Sequence, residues 1–364
     1  MKKIRVCIVG ATGIAGQQFL PSLDNHPWME VICLAASERS AGKKYKEALT
    51  DPKTLTLRWY VDEPMPSWAE NMEVLSPDSL PMNEIDLIFT AVEADVAKEI
   101  EPVYAKEVPV ISTASAFRYE EDVPIFIPGI NMDHIGLLDV QRKNRGWKGF
   151  ITPIPNCTTT GLAASLKPLQ EKFGLKKVIM TSMQALSGAG RSPGVIGLDI
   201  LDNLIPYIHK EEEKVERETA KILGTFKDGK IYPAPIDVSA TCTRVNVLDG
   251  HTEAVYVSLG RKASVEEVKR AFLEYGKEYL SLKLPSSPPS LFVVHDDPMR
   301  PQPRLDRNIN GGMSVIIGRI REDKCLENGI KYVLLSHNTK LGAAKGAVAV
   351  AEYLIHKNYI VRRN

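Results

Sequence analysis

The sequence predicts an α/β protein in which an N-terminal doubly wound parallel sheet is joined to an α+β domain built on a mixed sheet. Three observations carry this. A buried-type strand, Ile4-Arg5-Val6-Cys7-Ile8-Val9, runs straight into a glycine turn and then a helix. Strand and helix patterns alternate from there to residue 112, as consecutive βα units require. After residue 157 the alternation gives way to long extended runs separated by fewer, longer helices.

The first turn, Gly10-Ala11-Thr12-Gly13-Ile14-Ala15-Gly16, has GxxGxxG spacing, and residues 17–23 have helical periodicity. Glycines permit a tight turn and a close approach of backbone N–H groups to a pyrophosphate. Position after strand one and before helix one makes this a dinucleotide-binding turn of Rossmann type, with Gly10, Thr12, Gly13 and Ile14 as candidate contacts. A second strand over 30–35 ends without an acidic residue and continues as Ser37-Glu38-Arg39-Ser40, with Lys43 and Lys44 close behind. An acidic tip would suit the ribose of NAD, whereas the hydroxyls of Ser37 and Ser40 and the guanidinium of Arg39 suit the 2′-phosphate of NADP. NADP is the expected cofactor, and Glu38 is the feature against it. Strands over 85–91 and 108–112, with a helix over 95–106 between them, extend the parallel sheet.

A strand-like run over 150–154 breaks at Pro155-Asn156-Cys157, and Thr158-Thr159-Thr160-Gly161-Leu162-Ala163-Ala164-Ser165-Leu166 follows as a helix. One thiol therefore stands at a helix N-terminus, where unpaired N–H groups and the helix dipole favour the thiolate. For an isolated cysteine the plain reading is a small buried hydrophobe. Extended runs over 178–186, 240–247, 254–259, 313–320 and 332–336 supply the mixed sheet, and residues 284–290 form a proline-rich surface loop. A helix over 341–353, rich in Ala and Gly, is expected to fold back on the first domain. Residues 1–156 with 337–364 are thus assigned to the nucleotide-binding domain and 157–336 to the second domain.

The chain's 364 residues exceed what one core usually serves, which agrees with two domains. A composition of 44% apolar and 25% charged residues, with a net charge of +1, gives no sign of a nucleic-acid or anionic-membrane partner. No apolar run approaches the ~18 residues of a membrane span. Met1-Lys2-Lys3 leads into a strand rather than a signal-peptide core, so a cytoplasmic location is expected. The five cysteines, Cys7, Cys33, Cys157, Cys242 and Cys325, are scattered and form no CxxC pair, which argues against a disulfide framework or a zinc site. The seven histidines are equally dispersed, and no metal is expected.

A nicotinamide domain followed by a thiolate at a helix start suggests acyl transfer to sulfur coupled to hydride transfer. Such chemistry calls for a base, and histidine titrates near operating pH. His251 lies in the turn after one predicted strand and before the next, but spacing alone does not choose it from His26, His134, His209, His295 or His337.

These residues resemble the aspartate-β-semialdehyde dehydrogenase family over nearly the whole chain. The resemblance rests on the turn Gly10 to Gly16 and the block Ser115-Ala116-Phe117-Arg118, followed by Pro155-Asn156-Cys157-Thr158. Then come Gln184-Ala185-Leu186-Ser187-Gly188-Ala189-Gly190, the acidic helix with Glu211-Glu212-Glu213-Lys214, and Arg244 with His251, all in the family's order. The run Pro301-Gln302-Pro303 is similar to the branch found in archaea, fungi and some bacteria.

The resemblance implies Cys157 as nucleophile, His251 as general acid/base and Gln184 as the group positioning the acyl-enzyme. It implies Arg244 for the substrate α-carboxylate and Glu211 for the α-ammonium, with Arg118, Lys214 and Asn156 for the phosphate. Ser187, Gly188 and Asn338 are implied at the nicotinamide. The implied reaction is the NADPH-dependent reductive dephosphorylation of L-4-aspartyl phosphate to L-aspartate 4-semialdehyde, serving lysine, threonine, methionine and isoleucine synthesis. A homodimer or homotetramer formed through the second domain is also implied. Two segments depart from the family pattern: Thr90-Ala91-Val92-Glu93 near the cofactor, and His337-Asn338-Thr339-Lys340-Leu341-Gly342, which lacks an Arg before the glycine. The rival readings are a reductase of a CoA thioester, resembling malonyl-CoA reductase, and a catalytically silent NADP-binding paralogue. N-acetyl-glutamyl-phosphate reductase shares the logic but not these blocks.

Overall fold

The computed structural model describes residues 2–190 and 197–363. It divides into two compact units, Met1–Pro124 with Ile135–Ile154 and Ala343–Asn364, and Ile125–His134 with Pro155–Gly342. The sequence boundaries at 156/157 and 336/337 thus compare with 154/155 and 342/343, and a ten-residue excursion, Ile125–His134, joins the second unit. Hydrogen bonds within that unit hold the excursion. Asn131 closes its loop by accepting from Ile127 N and donating to Ile125 O, and His134 Nε2 lies 3.0 Å from Gly224 O.

The first unit is built on six strands: β1 (Ile4–Val9), β2 (Met29–Ala35), β3 (Val74–Leu75), β4 (Leu87–Thr90), β5 (Val110–Ser112) and β6 (Ile151–Pro153). Their order is β3-β2-β1-β4-β5-β6 and every pairing is parallel, which is the doubly wound arrangement. Strand order reverses between β1 and β4, so the glycine turn that follows β1 sits at the switch point where such sheets bind ligands. The predicted helix over 17–23 starts earlier, as two short segments, Ile14–Gln17 and Phe19–Leu23, meeting at Gln18. Phe19 stacks on Phe89 of β4 with ring centroids 4.7 Å apart, fixing this helix on the sheet. The C-terminal helix, Ala344–His356, packs against Phe19–Leu23, and its buried Glu352 lies 2.9 Å from His26 Nε2. A bulge in the β1–β2 pairing sets Cys7 opposite Cys33 in the buried core.

The second unit carries β7 (Leu175–Gln184), a short hairpin β8 (Thr225–Lys227) and β9 (Lys230–Tyr232), then β10 (Asp237–Arg244), β11 (His251–Leu259), β12 (Phe292–Val294), β13 (Val315–Asp323) and β14 (Gly329–Ser336). Six of these form one sheet in the order β10-β7-β11-β14-β13-β12. The β10–β7 and β12–β13 pairs are parallel and the other three antiparallel, so the sheet is mixed, as predicted. The helix Cys157–Phe173 packs across β11 and β14, burying every residue from Thr158 to Leu169. At Gly161 the approach leaves no room for a side chain, since a Cβ there would stand 2.6 Å from Ser336 Oγ. Among the described residues no helix is long and apolar enough to cross a membrane.

Candidate active site

Strand register assembles one edge of the second-unit sheet. Arg244 pairs with Gln184, Thr252 with Met183, and His251 with Ser336, which places Arg244, Gln184, His251 and Ser336 in a row across four strands. The row lies at one end of the sheet because β10, β7 and β14 finish there and β11 begins there. Here the structure corrects one expectation. His251 is the first residue of β11 rather than part of the turn before it, so the sheet ladder holds its backbone.

Cys157 is the first residue of the helix Cys157–Phe173, as the sequence predicts. Asn156 caps that helix, its Oδ1 accepting from Thr158 N at 2.9 Å and Thr159 N at 3.1 Å. The half-buried Cys157 Sγ lies 3.2 Å from Nε2 of His251, which selects this histidine from the seven. Asn156 Nδ2 donates to Glu211 Oε1 at 2.8 Å, and its main-chain N–H donates to Glu218 Oε2 at 2.7 Å. Glu211 opens the helix Glu211–Ile222, and its other oxygen is 3.6 Å from Lys214 Nζ. Cys157, Asn156, Glu211 and Lys214 therefore form one connected cluster.

His251 is fully buried, and its Nδ1 accepts from the main-chain N–H of Ala185 at 3.1 Å. Burial first, then the charges of Arg244 and His337, push its pKa down to about 3. Arg244, also buried, donates from Nη1 to the carbonyl of Ala185 at 2.7 Å. Gly188 fills the gap between these two side chains, since a Cβ there would stand 2.9 Å from Arg244 Nη1 and 3.1 Å from His251 Cε1. Gln184 is buried and donates to Ser182 Oγ at 3.2 Å. Asn338 ties the adjoining loops together, donating to Ser187 Oγ at 2.7 Å and accepting from Gly250 N at 2.9 Å. Its amide is thus engaged beside the residue that precedes His251.

Of the predicted cofactor residues, Gly10, Thr12, Gly13, Ile14, Ser37, Arg39 and Ser40 lie in the first unit, and Ser187, Gly188 and Asn338 in the second. At Gly10, φ is +84° and a Cβ would meet Ala91 O at 2.2 Å; at Gly16 a Cβ would meet Gly10 O at 2.1 Å. Only glycine satisfies both, and the result is a turn bare of side chains, as a pyrophosphate cradle needs. Gly13 caps the segment opened by Ile14, and the carbonyls of Ala11 and Thr12 accept from Tyr45 Oη and Gln17 Nε2. After β2 the exposed Ser37 and Arg39 and the buried Ser40 follow in a turn closed by Ser40 N to Ser37 O at 2.8 Å. These residues fit a dinucleotide with a 2′-phosphate. Arg118, also of the first unit, is buried and donates to Ile154 O and Thr113 O, both at 3.0 Å. Among the described residues no group of three or more His, Cys, Asp or Glu side chains could hold a metal ion.

Two family models match the chain, the semialdehyde dehydrogenase NAD binding domain over residues 5–138 and the semialdehyde dehydrogenase dimerisation domain over 166–341. The aspartate-semialdehyde dehydrogenase of Archaeoglobus fulgidus is 48% identical, covering 98% of this chain and 99% of its own. That of Methanothermobacter thermautotrophicus is 44% identical over 96% and 99%. The crystal structure of the Candida albicans enzyme with NADP is 41% identical and superposes with a TM-score of 0.88 over 98% of this chain and 100% of that one. The chain belongs to the aspartate-semialdehyde dehydrogenase family. Its first unit carries the family's NAD-binding domain and its second the dimerisation domain.

Several residues of the site went unread in the sequence. Glu218 lies seven positions after Glu211, two helical turns along the same face, a spacing that could have marked it. Ser336 and the peptide of Ala185 reach the site only through strand register and loop geometry, for which the sequence holds no signal.

Proposed function

We propose that this chain is an NADP-dependent aspartate-semialdehyde dehydrogenase that converts L-4-aspartyl phosphate to L-aspartate 4-semialdehyde through a thioester on Cys157. The observation that carries this reading is the 3.2 Å approach of Sγ to His251 Nε2 at a capped helix start, beside the row of Arg244 and Gln184. In the biosynthetic direction the Cys157 thiolate attacks the acyl carbon, a carbon–sulfur bond forms, and phosphate departs with the electron pair of the broken carbon–oxygen bond. The helix N-terminus steadies the thiolate and is placed to steady the oxyanion that forms during attack. His251 serves as the general acid/base that assists proton movement, and Gln184 orients the acyl group without adding charge.

Arg244 grips the substrate α-carboxylate with its planar fork, and Glu211 meets the α-ammonium. Lys214, Asn156 and Arg118 serve the phosphate. NADPH, held by Gly10, Thr12, Gly13, Ile14, Ser37, Arg39 and Ser40, with Ser187, Gly188 and Asn338 at its nicotinamide end, would supply the hydride that takes the thioester to the aldehyde level.

A homodimer is the proposed assembly. The dimerisation-domain match supports it, as does the pairing of two exposed apolar residues, Ile179 of β7 and Tyr256 of β11, on the sheet. A cytoplasmic setting, feeding lysine, threonine, methionine and isoleucine synthesis, completes the reading. The deciding assay is phosphate-dependent oxidation of L-aspartate 4-semialdehyde with NADP and NAD in parallel, for the wild type and Cys157→Ser. Turnover that requires phosphate, prefers NADP and vanishes in the variant is expected. Undiminished turnover in Cys157→Ser excludes the thioester route, and turnover of malonyl-CoA instead of the phosphorylated substrate would reassign the enzyme.

A further inference from the structure

We propose that Glu101 is a positioning residue for the cofactor and the phosphate. Its one carboxyl clasps the ends of β4 and β5, and so holds Ala91 against the dinucleotide turn and the Thr113 carbonyl at Arg118. This rests on the proposed function, in which that turn holds NADPH and Arg118 serves the phosphate, and it names a group outside both contacts that keeps them in place.

Glu101 lies in the helix Ala94–Ala105, which packs on β4, β5 and β6. It is fully buried, and Thr90 Oγ1 and Ser112 Oγ both donate to its Oε1 at 2.5 Å. Thr90 ends β4, Ser112 ends β5, and the two are register partners. The second oxygen, Oε2, is buried with no hydrogen-bond partner, so the carboxyl is spent on this pair of strand ends. An unpaired buried carboxyl oxygen costs stability, and an apolar trio at 90, 101 and 112 would fill the same space without that cost. What the acid supplies instead is one acceptor shared by two strands at the carboxyl edge of the sheet, where open parallel sheets bind ligands.

From Thr90 the clasp reaches the cofactor turn. The next residue, Ala91, donates its N–H to Val9 O at 2.8 Å, and its carbonyl lies where a Cβ on Gly10 would stand 2.2 Å away. Residue 91 is thus a wall against which the turn Gly10 to Gly16 closes, and a slip at the end of β4 moves that wall.

From Ser112 the clasp reaches Arg118. While donating to Glu101, Ser112 Oγ accepts from Ala114 N at 3.0 Å, and Thr113 between them donates its N–H to Thr90 O at 2.9 Å. Thr113 O, held in this way, accepts from Arg118 Nη2 at 3.0 Å. Charge agrees with the role. Burial lifts Glu101 to about 7, so below that pH the clasp is neutral and puts no negative charge beneath a turn that is to receive a pyrophosphate.

Glu101→Leu removes the acceptor and keeps the site filled, whereas Glu101→Gln keeps a carbonyl oxygen where Oε1 stands. Steady-state kinetics of phosphate-dependent semialdehyde oxidation, with NADPH binding read separately by fluorescence titration, compares both variants with the full-length wild type. In Glu101→Leu, KM for NADP, KM for phosphate and Kd for NADPH are expected to rise about tenfold, with kcat and KM for the semialdehyde within about twofold. Glu101→Gln is expected to restore all three. The split follows because Cys157, Arg244 and Glu211, proposed for the semialdehyde, are held by the second unit's own sheet and helices.

Wild-type constants in Glu101→Leu overturn the inference, as does a rise confined to NADP or to phosphate. So does a semialdehyde KM that rises in step with them, or a Glu101→Gln no better than Glu101→Leu. Should Glu101→Leu not fold, Thr90→Val drops one donor at constant shape: an NADPH Kd raised about threefold or more supports the clasp, and an unchanged one overturns it. The titration needs no turnover. A wild type without phosphate-dependent activity would therefore refute the proposed function and leave NADPH binding to decide the role of Glu101.

Discussion

Asn156 donates from Nδ2 to Glu211 Oε1 at 2.8 Å while its Oδ1 caps the helix that begins at Cys157. A single amide therefore couples the helix that begins at Cys157 to the acidic helix that carries Glu211 and Lys214. An amide is suited to this because it donates at one end and accepts at the other.

Asn156→Asp separates the two functions. Aspartate is as good a cap as asparagine, but it places a second carboxylate against the buried Glu211. The expected outcome is a loss of about 2 kcal/mol in stability and a raised KM for the semialdehyde. Adding Glu211→Gln restores most of the stability and none of the KM, which thermal unfolding and steady-state kinetics measure.

Gly188→Ala puts a methyl group 2.9 Å from Arg244 Nη1 and 3.1 Å from His251 Cε1. Neither neighbour can retreat, since both are held by the Ala185 peptide. Displacement of these two side chains by a fraction of an ångström is expected to lower kcat by about 10²-fold with little change in Tm, given the roles proposed for them. A kcat within a factor of two of wild type would show that the pair tolerates the shift.

Arg39 is exposed in the turn after β2, and Lys43 Nζ donates to its carbonyl at 2.9 Å. Loss of one charge-assisted contact to a phosphate amounts to about 1.5–3 kcal/mol. Arg39→Ala should therefore raise KM for NADP about tenfold or more while leaving KM for NAD nearly unchanged. Equal effects on the two cofactors would detach Arg39 from the 2′-phosphate.

Two buried groups pull the pH dependence of stability in opposite directions. His251 falls from 6.5 to about 3 in the folded chain, so its contribution is complete above the unfolded value and is lost as pH falls from about 6.5 toward 3. Glu101 rises from 4.5 to about 7, because burial outweighs the hydroxyls of Thr90 and Ser112 that donate to it at 2.5 Å. Its contribution is complete below 4.5 and is lost as pH rises toward 7. Glu101→Gln should remove the second trend, gaining on the order of 3 kcal/mol relative to wild type between about pH 4.5 and 7. Urea unfolding across that range measures it, and parallel curves for the two proteins would contradict the assignment.

Local chemistry made much of this protein legible. The run from Ile4 through Gly16 could be read as strand, turn and helix because each step follows from neighbouring residues: branched apolar side chains, then glycines where a Cβ would collide with Ala91 O or Gly10 O. The position of Cys157 at a helix start was legible for the same reason, since the strand-like run over 150–154 breaks at Pro155-Asn156 and a helical stretch follows at once. What chain order cannot encode locally is register. Tertiary structure alone chose His251 from seven histidines, because the pairing of β11 with β14 and β7 brings it to the edge that Arg244 and Gln184 share. Tertiary structure alone also turned the Ala185 N–H toward its ring. A backbone donor is the same in every residue but proline, so only the folded path of the chain decides what it meets.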